Sequence, residues 1–229
     1  MTNYISAGRG VLVLTKVTPV IQALFGPFKL DAASAESGAA FIAVGPQDDN
    51  PTWQNIYVTL SPLISSLSLE TQYLSDDDLP AALQLIAAHF HVQSNPILVD
   101  LLRSHPFGGK ADLSTLFLLA RLFNDGHGLT AIRLGTAHFP RDGQSPFGGA
   151  GSFISDHLRL TTSSEDGLTL GDDLHRAIES DDLDQAASRI AGCVQTILDS
   201  VSKPEIRQAL HWRLADLLVV AFQDSERRS

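Results

Sequence analysis

Between Leu183 and Val201 the apolar residues recur at steps of three and four: Leu183, Ala186, Ala187, Ile190, Ala191, Val194, Ile197, Leu198 and Val201. At 100° per residue these positions keep to one face, so the segment is committed to an amphipathic helix. Lys203-Pro204-Glu205 punctuates the chain, and a last helix is expected from about Glu205 to Gln223. Its apolar positions include Ile206, Leu210, Leu214, Leu217, Leu218 and Ala221, and Trp212, Val219, Val220 and Phe222 widen the face. A stripe that wide buries more than one side. The helix is therefore central in its domain or part of a subunit interface, and a homodimer through it is one expectation.

The N-terminal part reads differently. Val11-Leu12-Val13-Leu14-Thr15 is a β-branched, apolar run that suits a strand buried on both faces. Thr18-Pro19 then offers an N-cap and a first-turn proline for a helix that stops at Gly26-Pro27. Residues 39–44 read as a second strand, and a helix starts near Thr52 that Pro62 should end or kink. Ser75 is expected to cap the next helix, with Asp76, Asp77 and Asp78 in its first turn. This order of elements predicts an α/β (α+β) fold with a small β-α-β-α layer at the N-terminus.

A break at residues 92–96 divides the chain into a small α/β domain (1–92) and a mainly helical domain (93–229). The second carries a two-strand insertion at about 129–162 and ends in a helical bundle. Within it, a short helix covers residues 97–103, and Asp112 caps a helix that ends at Asn124-Asp125-Gly126. Strands are expected at 129–139 and 152–162, joined by a flexible connection that includes Gly148-Gly149-Ala150-Gly151. A short helix is expected at 172–180.

Charge narrows the functional classes. Sixteen basic and 26 acidic residues give a net charge of −10, which opposes electrostatic binding of nucleic acid or anionic lipid. No apolar run approaches the roughly 18 residues that cross a bilayer, and no leader peptide is legible at the N-terminus. A single cysteine, Cys193, forms no internal disulfide, which fits a reducing, cytoplasmic setting. On its patterned helix Cys193 is expected to pack in the core.

Chemistry-bearing patterns are sparse. The glycines at 148–151 match neither G-x-G-x-x-G nor the Walker pattern, and no G-x-S-x-G occurs. His89 and His91 suit a frayed helix end. Three further histidines lie at the ends of the predicted strands: His127, His138 and His157. If the strand ends adjoin, these histidines could gather as metal ligands or acid–base groups, oriented by Asp125 or Asp156. The simpler reading makes them polar residues at turns and edges, and no cofactor is called for.

Two functions from different classes follow. The favoured one is a non-enzymatic acidic protein that binds another protein, as an inhibitor or accessory factor engaging a basic, nucleic-acid-binding partner. Asp76, Asp77, Asp78, Asp181, Asp182 and Trp212 are its candidate contact residues. The alternative is a metal-assisted or acid–base enzyme using His127, Asp125 and His157, or the metal set His127, His138 and His157.

Overall fold

The computed structural model describes residues 4–33, 38–45, 50–69, 78–140 and 148–226. Its contacts divide the chain into two units, Met1–Ile154 and Ser155–Ser229. Among the described residues, strands and helices alternate irregularly and the strand pairs are antiparallel, as in an α+β fold. Among the described residues no helix is long and apolar enough to cross a membrane.

The first unit is built on strands β1 (Tyr4–Val13), β2 (Ala39–Val44), β3 (Ala131–Pro140) and β4 (Gly148–Ser155). Their order in the sheet is β2-β1-β3-β4. Leu12 lies between Ala40 and Ile132, and Gly10 between Ile42 and Leu134. Leu12, Ala40, Ile42 and Ile132 are all buried, so alternate positions on one face make the floor of the core. Val11 and Val13 on the other face are only half-buried. The first strand is thus buried on one side, not on both.

Helices α1 (Pro19–Phe25), α2 (Trp53–Ser66), α3 (Leu79–His89), α4 (Pro96–Ser104) and α5 (Leu113–Leu122) supply the rest of that core. Thr18 caps α1 as expected, and a 3-10 turn (Gly26–Phe28) carries the chain on beyond Gly26. The second helix does not end at Pro62 but continues past it to Ser66. Losing that backbone donor costs roughly 3 kcal/mol, but Leu63 and Ile64 lie just beyond it and are buried. Two such side chains return about as much by burial. For α3 the capping residue is Asp78, whose carboxylate accepts from the Ala81 amide. Ser75, Asp76 and Asp77 lie outside the described residues.

The boundary expected near residue 92 falls inside this unit. Leu83 and Ile86 before it and Leu98 after it belong to one continuous core, so residues 92–96 merely turn the chain from α3 into α4.

Gly148–Gly151 is strand, not a flexible connection. The reason is steric: a Cβ on Gly149 would sit 2.7 Å from the Thr136 carbonyl oxygen of β3. The glycine lets the two backbones approach. The strand expected at 152–162 is two strands, β4 and β5 (Arg159–Ser163). Between them the Ser155 hydroxyl accepts from the amides of His157 and Leu158, which turns the chain.

The second unit holds β5 and helices α6 (Ser164–Glu179), α7 (Leu183–Asp199) and α8 (Pro204–Glu226). The first of these is longer than the 172–180 segment expected. It starts at a capping box in which Ser163 and Asp166 each accept from the other's amide. Asp182 caps α7, accepting from the Gln185 amide. Asp181, at φ 59°, is the left-handed residue that turns α6 into α7. The end of α7 is tied to the start of β5 by Arg159 N–H to Ser200 carbonyl at 2.9 Å and Ser202 N–H to His157 carbonyl at 2.9 Å.

Candidate functional site

His127 is fully buried. Its Nε2 lies 2.9 Å from the Ala120 carbonyl oxygen, and its Nδ1 accepts from the Leu129 amide at 2.8 Å. A carbonyl only accepts, so Nε2 carries the proton and both ring nitrogens are committed. The His127 carbonyl also accepts from the Thr15 and Lys16 amides. The ring fastens the end of α5 to the start of β3. The geometry is that of a structural histidine.

Asp125 does not orient that ring. Its carboxylate accepts from the Thr18 hydroxyl at 2.6 Å and from the Val20 amide at 3.1 Å, which holds the N-terminus of α1 against the turn after α5. His138 is far along β3 from His127. At about 3.4 Å per residue, the stretch from Ala131 to His138 alone spans roughly 24 Å. These two side chains are not brought together. His157 and Asp156 lie in the Ser155–Leu158 turn of the second unit, where the backbone of His157 makes the bonds given above. Among the described residues no group of three His, Cys, Asp or Glu side chains could hold a metal ion. His89 closes α3, and His91 at φ 56° is not extended, so that pair does not face one way.

His105 gains several partners from the fold. Its ring lies edge-on to Trp53 at 5.1 Å and against Phe107 at 4.4 Å. Its Nδ1 accepts from the Phe107 amide, and its Nε2 is 3.2 Å from Asp112, whose other carboxylate oxygen caps α5 through the Thr115 amide. Every polar atom of the imidazole is used in packing the α4–α5 connection. No sequence spacing announces this cluster, because Trp53 comes from a remote helix.

The unusual surface is in the second unit. Among the described residues, 35 hydrophobic side chains are buried, and only four of these (Ala177, Ala186, Leu198 and Val201) belong to this unit. Of 15 large apolar side chains that stand exposed, 11 are on α6, α7 and α8. Isolated exposed leucines mean little, but here the exposed apolar side chains are concentrated on three successive helices.

On α7 the sequence pattern holds, but its covering is incomplete. Ala186 and Leu198 are buried, while Leu183, Ile190 and Ile197 are 64%, 52% and 52% exposed. Those three are seven residues apart, which sets them nearly in line along the helix. Leu168 and Ile178 of α6 are likewise exposed. Cys193 is exposed too, and so does not pack in a core as expected. Trp53 is buried at 2%, but Trp212 on α8 is 65% exposed.

Charge around this surface is uneven. Residues 164–199 carry two basic and nine acidic side chains, a net −7. Both of those arginines, though exposed, pair with one carboxylate: Arg176 lies 2.6 Å and Arg189 3.4 Å from Asp173. Asp181, Asp182 and Asp184 are exposed beside Leu183. Residues 204–219 of α8 carry two basic and two acidic side chains and are neutral. No family model, no curated protein and no solved structure matches the chain.

Proposed function

We propose that this chain acts by binding a basic protein partner through α6 and α7 of its second unit. The observation that carries the reading is the inverted burial of that unit: among its described residues, 11 large apolar side chains are exposed and four hydrophobic residues are buried. At about 25 cal/mol per Å², a unit that buries so little cannot offset much of its own conformational entropy. Surface that is covered by a partner makes up the deficit. Apolar centres with polar rims are the usual anatomy of such contacts.

The rim decides the partner's chemistry. Net −7 over residues 164–199 attracts a basic surface and repels an acidic one. A nucleic-acid-binding protein presents such a surface. Occupying it makes this chain an inhibitor or accessory factor that competes with phosphate for the same basic groups. Asp181 and Asp182 sit on that rim, next to Leu183.

The test is co-purification of the tagged chain from its native host, with the bound partner quantified for two variants. Ile190→Asp/Ile197→Asp removes the apolar centre, and Asp181→Lys/Asp182→Lys/Asp184→Lys reverses the rim. Each is expected to lower recovery of the partner at least tenfold, and binding by the parent chain is expected to weaken as salt rises. Unchanged recovery with both variants refutes this surface.

A further inference from the structure

On the outer face of the sheet in the first unit, we infer a binding site for a small phosphate monoester. The site is a cleft of about 230 Å³ whose lining includes Arg9, Lys29, Asp31, Phe41 and Ala43. It belongs to the first unit alone and stands apart from the α6–α7 surface.

The strand register brings these residues together. Arg9 lies between Ala43 and Gly135, and Val11 between Phe41 and Arg133. Beyond β2 the chain makes one more antiparallel bridge, Asp31 to Phe41, and that register carries Lys29 toward Ala43. Paired residues share a face of a sheet. Arg9, Asp31, Phe41 and Arg133 therefore stand on the side opposite the buried floor of Leu12, Ala40, Ile42 and Ile132. Arg9 and Arg133 are diagonal neighbours on adjacent strands, roughly 7 Å apart. Small residues flank Arg9 on both sides: Ala43 lines the cleft, and a Cβ on Gly135 would meet nothing within 4 Å. The face is open there.

Charge selects the ligand. Arg9, Lys29 and Arg133 are exposed, and among the described residues none of these three side chains has a hydrogen-bond or ion-pair partner. Arg103, Arg176, Arg189 and Arg207, by contrast, each have a carboxylate within 3.4 Å. The carboxylate at the cleft, Asp31, already accepts from the Ala33 amide. Three cations against one carboxylate leave a local surplus of two positive charges in a chain of net −10. A phosphate monoester, at about −1.5 to −2 near pH 7, neutralises that surplus, and a carboxylate supplies only half as much. Guanidinium and ammonium donors also suit phosphate oxygens. Phe41, half-buried beside them, offers an apolar surface to the organic part of the ester. A nucleic acid would press its further phosphates against an acidic chain, whereas a small dianion meets only the cleft.

Calorimetric titration of the full chain with phenyl phosphate, inorganic phosphate and benzoate tests the site. Phenyl phosphate is expected to bind with a Kd below about 1 mM, roughly fivefold or more tighter than either other probe. Arg9→Gln/Lys29→Gln should weaken it at least about tenfold and Arg133→Gln roughly threefold, and added salt should weaken it further. No binding of phenyl phosphate overturns the inference, as does affinity unchanged in Arg9→Gln/Lys29→Gln. Equal affinity for inorganic phosphate or for benzoate overturns the assignment to a phosphate ester. Should the double variant misfold, amide NMR of the parent chain with phenyl phosphate gives the answer. Shifts gathered at Arg9, Lys29, Asp31, Phe41 and Ala43 support the site, and shifts confined elsewhere overturn it. Partner capture through α6–α7 is read separately, so either claim can fail while the other stands.

Discussion

Replacing His127 by alanine tests whether its ring is a structural tie. The substitution removes the donor to the Ala120 carbonyl and the acceptor of the Leu129 amide, 2.9 and 2.8 Å from the ring nitrogens, in a site with no solvent exposure. Each buried group left without a partner costs about 1–3 kcal/mol, and the space vacated by the imidazole adds a cavity term. The sum is roughly 3–5 kcal/mol, which would be large for one residue. With a urea dependence of about 2 kcal/mol per M, the unfolding midpoint falls by roughly 1.5–2.5 M. Trp53 is buried in the first unit and reports on it cleanly in a Trp212→Phe background. His127→Asn should lie between the parent and His127→Ala. An asparagine carbonyl can still accept from the amide two residues on, but it cannot reach the Ala120 carbonyl as well. A midpoint shift below about 0.5 M for His127→Ala would refute the structural assignment and reopen the ring to other roles.

Asp125→Ala should cost about 1–2 kcal/mol, because the Thr18 hydroxyl and the Val20 amide both lose their acceptor at the N-terminus of α1; urea unfolding followed by Trp53 measures it, and a neutral result contradicts the capping role. Acid should loosen the start of α6. The Ser163 amide and, less strongly, its hydroxyl hold the Asp166 carboxyl below its ordinary value of 3.8. A depressed value in the folded chain means the stabilisation is present above the unfolded value and is lost as pH falls through the folded one. Carboxyl-carbon NMR should place the Asp166 titration below 3.8 and return it toward that value in Ser163→Ala, and an unshifted Asp166 in the parent chain would contradict the capping box.

Local signals in the sequence were legible where they were self-sufficient. Thr18-Pro19 fixes the start of α1, Asp112 that of α5, and the apolar run at 39–44 is β2 to the residue. The two halves of Pro62's helix could not be joined from the sequence, because the burial of Leu63 and Ile64 that offsets the proline depends on α1 and α3. Gly148–Gly151 looked like a loop because its glycines answer to a neighbour, the Thr136 backbone, that is remote in sequence. The start of α6 was missed because Gly167 and Gly171 break its apolar pattern, although Ser163 and Asp166 at capping-box spacing mark it. For the candidate site, periodicity located the apolar stripe of α7 correctly but could not say what lies against it. That Leu183, Ile190 and Ile197 face outward depends on how little α6 and α8 cover. The histidine alternative depended on strand ends adjoining. Instead, His127 lies at the head of β3 with both ring nitrogens engaged, and His138 lies toward the strand's far end.

The central claim is that an acidic, apolar-centred surface on α6 and α7 meets a basic partner. Carboxylate-to-amine cross-linking of the complex recovered from the native host, followed by peptide mapping, reads that contact directly. The predicted result is a set of cross-links joining Asp181, Asp182, Asp184 or Glu179 to lysines of one partner, lost when salt is raised before cross-linking. Cross-links confined to residues of the first unit, with none from 164–199, would contradict it.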